Sequence, residues 1–519
     1  MKRTNILASI LALMIVLPSL TSCNPASIGD GIEEKSVNTK ANDTIYSTSL
    51  LSSTENSSDT MEHISTDGAI RPEKTSLGAI RWDAWTSHDG NPNSVISQVE
   101  RALSPAEFHE RAPFFAEVTE DGNIIIPEYT QEIFDLEMEY AIYAGIDYFA
   151  YVWYNSAMKA AREFHTQSKY KNDVKMCACF DGNAIGKDYA RQDMEKLFME
   201  DYYMKVLDGR PLMYYFAVSS NLAKITEDIR YYRELTKKLG IPEPYAVIMN
   251  VSAEEAYNAY GDAVSSYTVY GHENETFSAL MKRAHSQWKK WNATGLSHVP
   301  TVSFGWNPKP RYINPVSWVG YEYNSWSKIP AAKEIQKHLM YALSYMDHPC
   351  VTEQTEANIL LSYAWNEHDE GGWLCPTIAV DKNGNQIYND DGSKKLNTER
   401  IEAVKSTLAS FEGGERTTIV INGVSNAVTE ESTSATEALT ESATETVTET
   451  EAASNNESLT SSEITESGTA DDATTNGTEE TESNTSGCHS TVSTLSVSTV
   501  CVLAALYVLH KKRKEVASR

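Results

Sequence analysis

The chain has 519 residues and a formal net charge of −28 at pH 7. This charge disfavours nucleic acid as a partner, because a polyanion binds basic surfaces. The seven cysteines do not form the Cys/His spacing of a structural zinc site. We therefore expect neither a metal nor a cofactor.

Residues 1–23 have the pattern of a secretory signal, with Lys2 and Arg3 ahead of an apolar run. The segment ends Leu-Thr-Ser-Cys, which resembles the lipobox of bacterial lipoproteins and implies cleavage before Cys23 and lipid attachment to it. An ordinary signal or an uncleaved anchor is the alternative. Residues 24–75 are rich in Ser, Thr, Asn and Glu, and we predict a disordered linker because they bury too little apolar surface.

Residues 76–414 are long enough to form one large domain with a single core. In this region short apolar runs alternate with helical patterns. The predicted strands are 77–85, 147–154, 174–181, 210–218, 244–250, 263–269, 299–306 and 359–367. The predicted helices include 130–144, 191–206, 222–239, 276–291 and 331–345. Eight strands with intervening helices predict an α/β fold, a (β/α)8 or TIM barrel. An open doubly wound sheet is disfavoured, since no glycine-rich phosphate turn follows the first strand.

The site of such a barrel forms where the strands end, and here aromatic and polar residues collect at these ends. The candidates for substrate contact are Trp82, Asp83, Trp85, Trp153, Tyr154, Asp181, Trp306 and Trp365. Aromatic faces beside carboxylates and amides suit a sugar ring, so the pattern predicts a carbohydrate site. For any single tryptophan, packing in the core or rim is the alternative.

Two connections on this face are also candidates for the walls of a cleft. The loop 86–128 is long and contains Arg101 and Arg111, for which ion pairs that fix the loop are the favoured role. The segment 307–311 follows the seventh strand and ends in Arg311. It either offers a basic group to a sugar hydroxyl or only turns the chain.

The eighth strand runs into a segment with several acids. Glu367 and Glu370 are three residues apart, so a helical turn would place their Cβ atoms about 5–6 Å apart. Such proximity favours retaining glycoside hydrolysis, in which the two carboxyl groups are about 5–5.5 Å apart, and it separates the pKa values of the pair. The neighbours that we expect to contact substrate are Asn366, His368, Asp369 and Trp373. A helix cap is the structural alternative, and a metal site is disfavoured because no distant His cluster accompanies these residues.

The segment Trp365-Asn366-Glu367-His368-Asp369-Glu370-Gly371 is similar to the Asn-Glu-x-x-Glu-Gly segment of glycoside hydrolase family 99-like proteins. This family includes endo-α-mannosidases and WbsX-type proteins, and residues 141–148 also resemble its passage into the second strand. The resemblance implies a (β/α)8 barrel with Glu367 removing the 2-hydroxyl proton and Glu370 acting as general acid and then base. His368-Asp369 stand where the mannosidases commonly have Trp-His.

The C-terminal part has a different composition. No Lys or Arg lies between Arg416 and Lys511, and residues 430–482 include fifteen acids. We predict a disordered acidic stalk over 415–487, a transmembrane helix over 488–510 and a basic cytoplasmic tail over 511–519. A processed or peripherally held segment is the alternative to the helix.

Together these features predict a glycoside hydrolase at the bacterial cell membrane, with its catalytic domain outside and an extracellular glycan as its substrate; the resemblance implies an α-mannoside. A non-catalytic glycan-binding protein and a glycosyltransferase-type protein are the alternatives. Among the cysteines of the folded part, Cys177 and Cys179 have poor geometry for a mutual disulfide, whereas the pairing of Cys350 with Cys375 is left open.

Overall fold

The computed structural model describes residues 61–66, 68–86 and 91–426. The predicted signal with Cys23, most of the first linker, nearly all of the stalk, the transmembrane segment and the basic tail lie outside the described residues. Within them, no helix is long and apolar enough to cross a membrane.

Eight parallel strands form a nearly closed barrel in which every strand but the sixth pairs with the next along the chain, and the eighth pairs with the first. The strands are β1 (Ser76–Arg81), β2 (Tyr148–Val152), β3 (Lys175–Phe180), β4 (Arg210–Phe216), β5 (Tyr245–Met249), β6 (Ala263–Ser265), β7 (Thr301–Ser303) and β8 (Ile359–Tyr363). Strand β8 returns to β1 in the register Ser76↔Ile359 to Ala79↔Ser362. A single bridge, Val264↔His298, joins β6 to the start of β7. The predicted TIM barrel is therefore confirmed, and the open doubly wound sheet is excluded.

The helices lie between the strands. They are α1 (Val95–Leu103), α2 (Gln131–Ala144), α3 (Ala160–Gln167), α4 (Asp188–Leu197), α5 (Leu222–Leu239), α6 (Ala253–Asn258), α7 (Phe277–Asn292), α8 (Lys309–Ile313), α9 (Ala332–Met346) and α10 (Glu399–Glu412). Local sequence fixes several ends: the Thr130 hydroxyl accepts a hydrogen bond from the Ile133 amide, and Gly145 ends α2 with a φ of 85°.

The helix predicted over 191–206 is wrong in its second half. Helix α4 ends at Leu197, and Lys205–Val206 instead pairs antiparallel with the start of β4. Apart from the exposed Met199, the apolar residues of this stretch are buried in the connecting turn. Among them, the Tyr203 hydroxyl donates a hydrogen bond to the Leu212 carbonyl at 2.9 Å.

The folded part extends beyond both ends of the predicted domain 76–414. Arg71 donates to the Met346 carbonyl and to Asn358 Oδ1, at 2.9 and 2.7 Å. At the other end, Val420–Ile421 pairs with Val424–Ser425 in a short hairpin. In the described part of the chain Cys177, Cys179, Cys350 and Cys375 are all free thiols, so Cys350 and Cys375 do not form a disulfide.

The barrel interior is filled by large side chains opposite small ones. The Tyr148 ring lies over Gly78, and its hydroxyl shares a hydrogen bond with Tyr214 at 2.8 Å. A Cβ atom built on Gly78 would lie 2.0 Å from the Tyr148 ring. The interior thus leaves no space for any side chain at position 78.

Replacing Gly78 with Ala is expected to lower the free energy of unfolding by at least about 2 kcal/mol, because the buried ring cannot move without breaking its hydrogen bonds. Denaturant unfolding of the full-length chain would measure the change. Gly320→Ala is the matched control, since Gly320 has nothing within 4 Å of the added atom. Equal losses in the two variants would contradict the packing argument.

His298, at the β6–β7 bridge, is buried and shares a hydrogen bond with the Tyr345 hydroxyl at 2.9 Å. Burial lowers its pKa to about 4. As pH falls through 6.5, His298 becomes protonated in the unfolded chain but stays neutral in the folded chain. Folding stability therefore falls as pH drops below 6.5.

Between pH 7.5 and pH 5.5 this single group is expected to cost the wild type about 1.4 kcal/mol of folding free energy. His298→Gln removes the titration and keeps a hydrogen-bonding side chain. Denaturant unfolding should show that the variant loses less unfolding free energy than the wild type between pH 7.5 and pH 5.5, by about 1.4 kcal/mol. Identical pH slopes in the two proteins would show that His298 does not titrate as proposed.

Candidate active site

A cavity of about 600 Å³ opens at the carboxyl ends of the strands. Six of the predicted site residues line it: Trp82, Tyr154, Asp181, Trp306, Glu367 and Glu370. Its wall is mostly apolar and aromatic, with Glu367 and Glu370 after β8 and Asp181 after β3, which is the character of a site for a small polar ligand with apolar faces.

The segment that follows β8 folds back beneath this cavity. The Trp365 amide donates to the Ile80 carbonyl at 2.7 Å, and the Gly372 amide donates to the Glu367 carbonyl at 3.0 Å. Gly372 must be a glycine, because an added Cβ would lie 2.3 Å from the Tyr363 ring. The backbone thereby fixes the direction of the glutamate side chains.

Arg311, in the short helix α8, joins all the acids of this segment. Its Nε and Nη2 donate to the two oxygens of Asp369 at 2.6 and 2.9 Å. Its Nη1 donates to Glu370 Oε1, and its Nη2 lies 3.5 Å from Glu367 Oε2. The guanidinium also lies 5.0 Å from the Trp82 ring. One buried cation thus holds Glu367 and Glu370 beside each other.

The two glutamates differ in their other partners. Glu370 accepts hydrogen bonds from the hydroxyls of Tyr321 and Tyr363 in addition to Arg311. Glu367 accepts one from the Tyr267 hydroxyl at 3.0 Å. Burial, and then the charge of Glu370, raise the pKa of Glu367 well above its ordinary value, although Arg311 acts in the opposite direction. Glu367 therefore holds its proton more tightly than an ordinary glutamate, whereas Glu370 accepts hydrogen bonds from three donors.

Asp181 provides a third carboxylate in the lining of the cavity, directly after β3. Its oxygens accept from the amide and the side chain of Asn183, both at 2.9 Å. Burial and the nearby Asp181 raise the pKa of Tyr154, which lines the same wall. This side of the cavity offers hydrogen-bonding groups to a ligand that contacts the glutamates.

Asp369 does not line the cavity. Its side chain is fully buried, and both of its oxygens are occupied by Arg311. Asp369 therefore orients the Arg311 guanidinium. The geometry does not support the predicted contact of Asp369 with substrate.

Asp83 and Asn366 lie behind the cavity wall. Asp83 pairs with Arg81 at 2.8 Å. Asn366 accepts a hydrogen bond from the Trp82 amide at 2.8 Å and donates to Asp83. These two residues join the ends of β1 and β8 and so place the Trp82 ring.

Trp85, His368 and Trp373 form a buried aromatic cluster away from the cavity. The His368 ring lies 5.1 Å from Trp85 and 6.2 Å from Trp373. Arg400 stacks on Trp373 at 3.6 Å. Burial lowers the pKa of His368 to about 3, so this side chain stays neutral. The three residues support the acidic segment from below.

Trp153 and Trp365 are core residues. Trp153 donates to Asp193 at 3.1 Å and lies under Arg162, whereas Trp365 donates to Glu137 at 3.1 Å. Both rings are 1% exposed or less, which excludes ligand stacking on them. For these two the packing alternative is the one that the structure shows.

The sequence pattern missed several residues of the wall. They are chiefly Tyr267, Tyr270, Arg311, Trp318 and Tyr321. Tyr267 was within the predicted sixth strand. For Arg311 the sequence left two roles open, a basic group for a sugar hydroxyl or part of a turn. The other signal was the aromatic content of residues 312–326, which follow β7. Among the described residues, no group of three or more His, Cys, Asp or Glu side chains is arranged to hold a metal ion.

No protein-family model matches the chain, and no curated protein matches it. Two solved structures of a GH99 endo-α-mannosidase from Bacteroides thetaiotaomicron, one of them with bis-tris propane, are similar to it. They have 12% and 13% identity and TM-scores of 0.41 and 0.38, and the alignments cover 65% of this chain and 97% of theirs. A GH138 enzyme targeting pectin rhamnogalacturonan II has 10% identity and a TM-score of 0.30, over 65% of this chain and 39% of its own. At these values the likenesses do not assign the chain to a family.

Proposed function

We propose that the chain is a glycoside hydrolase that cleaves a glycan in the cavity above Glu367 and Glu370. The observation that carries the proposal is the pair itself: two glutamates of unlike environment contact one guanidinium in a cavity walled by aromatic rings. A hydrolase needs one acid that is protonated and one that is ionised at the scissile bond. The hydrogen bonds of the site supply this difference.

Glu367 donates its proton to the glycosidic oxygen in the proposed first step, and the C–O bond to the leaving sugar breaks. Glu370 attacks the anomeric carbon as the leaving oxygen departs, and a glycosyl ester with Glu370 forms. Glu367, now ionised, then removes a proton from the water that attacks this carbon, the bond to Glu370 breaks, and the anomeric configuration is retained. This assignment reverses the roles that the resemblance to family 99-like proteins implies, because Glu370 accepts from three donors that favour a carboxylate, whereas Glu367 accepts from Tyr267 and, at 3.5 Å, from Arg311.

An α-mannoside is the first substrate class to examine, because the acidic segment resembles that of endo-α-mannosidases. We further propose that the domain acts outside the bacterial cell membrane, where the predicted lipid on Cys23 and the helix over 488–510 would hold it near an extracellular glycan. These parts of the proposal rest on the sequence alone.

The full-length chain should be incubated with α-mannan, high-mannose N-glycans and acidic bacterial polysaccharides, and reducing ends should be quantified. The expected result is release from at least one of them, with NMR of the first product showing the starting anomeric configuration. Inversion would overturn the proposed retention. Binding to a glycan without any reducing-end release would favour the non-catalytic alternative.

A further inference from the structure

A second cavity, of about 410 Å³, lies on the same face of the barrel. The connection from β7 to α9 separates it from the first cavity. Trp306, Arg311 and Tyr321 of this connection line the first cavity, whereas Lys309 and Tyr323 line the second. The two cavities are therefore the two sides of one wall.

The charge of the second cavity is opposite to that of the first. Its lining contains three basic side chains, Arg111, Lys309 and Lys328, against one acid, Glu107. Lys309 pairs with Glu107 at 2.5 Å, whereas among the described residues Lys328 is exposed and has no ion-pair partner. In a chain of net charge −28, this is a local excess of positive charge.

Arg111 is the unusual member of the set. The side chain is 4% exposed, yet no carboxylate of the described residues lies within salt-bridge distance. It donates only to the carbonyl and side chain of Asn307, at 2.9 and 3.1 Å, and its Nε has no hydrogen-bond partner. Burial lowers its pKa to about 10. A guanidinium this deeply buried is costly without an anion, so an anionic ligand would supply what the site lacks.

The remaining lining residues suit a sugar. Tyr323 is 71% exposed and packs 5.9 Å from the Trp326 ring, which gives the rim an aromatic face. The side-chain amides of Asn274 and Asn324 have no hydrogen-bond partner among the described residues and border the same space. Flat rings beside free amides recognise hydroxylated rings, and the cations recognise an acidic substituent.

We propose that the second cavity binds a glycan unit that carries an acidic group, a carboxylate or a sulfate. This inference deepens the proposed function, on which it rests, by naming the substrate class as an acidic glycan. The acidic unit would be a neighbour of the sugar that is cleaved, because the first cavity already holds Asp181, Glu367 and Glu370 against Arg311 alone. Like charges would disfavour a second anion there.

The test is calorimetric titration of the full-length chain with tetragalacturonate, its methyl ester and a chondroitin sulfate tetrasaccharide, with inorganic sulfate as a further ligand. We expect at least one acidic oligosaccharide to bind about tenfold more tightly than the neutral ester, with an affinity that falls as salt rises. The ester has the same rings without the charge. An equal affinity for the acid and the ester, no binding of either acidic oligosaccharide, or oligosaccharides that bind no better than inorganic sulfate would overturn the proposal.

Variants locate the binding. Lys328→Gln should lower the affinity for the acidic oligosaccharide about threefold to tenfold, and Lys328→Glu should lower it more. Lys333→Gln, at an exposed position on α9, should leave this affinity unchanged. Unchanged affinity in both Lys328 variants would place the binding elsewhere and overturn the assignment. The wild-type chain separates the two proposals. Binding of the acidic oligosaccharide by a wild-type chain that hydrolyses no glycan rejects only the proposed function, whereas hydrolysis by the wild type without preference for acid over ester rejects only this one.

Discussion

Replacing Glu367 with Gln is expected to lower the rate of glycan cleavage about 10²- to 10⁴-fold, the usual contribution of a general acid. Gln fits the same space and can still accept a hydrogen bond from Tyr267, so binding of the glycan should remain. The measurement is kcat on the glycan that the wild type cleaves. Glu322→Gln, an exposed glutamate of the β7–α9 connection, is the matched control and should have wild-type activity.

The pH profile and the leaving group identify the role of Glu367. If Glu367 carries the proton, the rate falls as pH rises through its raised pKa, since the acid is then lost. The Glu367→Gln variant should also show its smallest loss of cleavage rate on aryl glycosides, whose leaving group needs no proton. A rate that instead rises through this pKa would give Glu367 the role of base, as the resemblance implies.

Replacing Arg311 with Met is expected to lower the free energy of unfolding by about 3–5 kcal/mol, because it leaves buried carboxylates without their cation. Asp369 would lose both of its charge-assisted hydrogen bonds. Denaturant unfolding would measure the loss, and activity should disappear with it.

The loss should be smaller at pH 5 than at pH 7. Without Arg311 the folded pKa values of Glu367 and Asp369, which burial already raises, rise further above the unfolded values, so the folded chain holds extra protons and its stability falls as pH rises. Arg416→Met is the control, since Arg416 pairs with Asp347 at 2.9 Å on the surface and should cost at most about 1 kcal/mol. Equal losses in the two variants would contradict the role given to Arg311.

The Arg311→Lys variant should be more stable than Arg311→Met but less stable than the wild type, because an ammonium cannot bind Asp369 with two donors in a plane.

The barrel was predictable because its strands are buried on both faces and therefore read as continuous apolar runs. All eight were found, although the strands run shorter than the predicted runs. The residues beyond Arg81 and Tyr363 leave the sheet to form the wall and the acidic segment. Hydrophobic pattern alone does not mark that point, because Trp82 and Trp365 are as apolar as the strand residues before them.

The site was predictable only in part. Glu367 and Glu370 stood out because acids rarely follow an apolar strand so closely. The sequence does not show which of the neighbouring side chains line the cavity and which are buried behind it. That depends on contacts over long sequence separations: Trp365 donates to Glu137, and Asp369 accepts from Arg311. For the same reason Tyr267 could not be linked to Glu367, one hundred residues away.

The ring of strands has one weak seam: among the described residues, the main-chain pairing of β6 with β7 is limited to the Val264↔His298 bridge, and hydrogen bonds from the Ser265 and Thr301 side chains supplement it. Amide hydrogen exchange should therefore be fastest in this part of the barrel, at Val264 and Val299, through partial opening well below the global unfolding free energy. Tyr267 follows this seam on one side and Trp306 on the other. A transient opening there would let the cavity at the strand ends widen while the remaining strands stay paired.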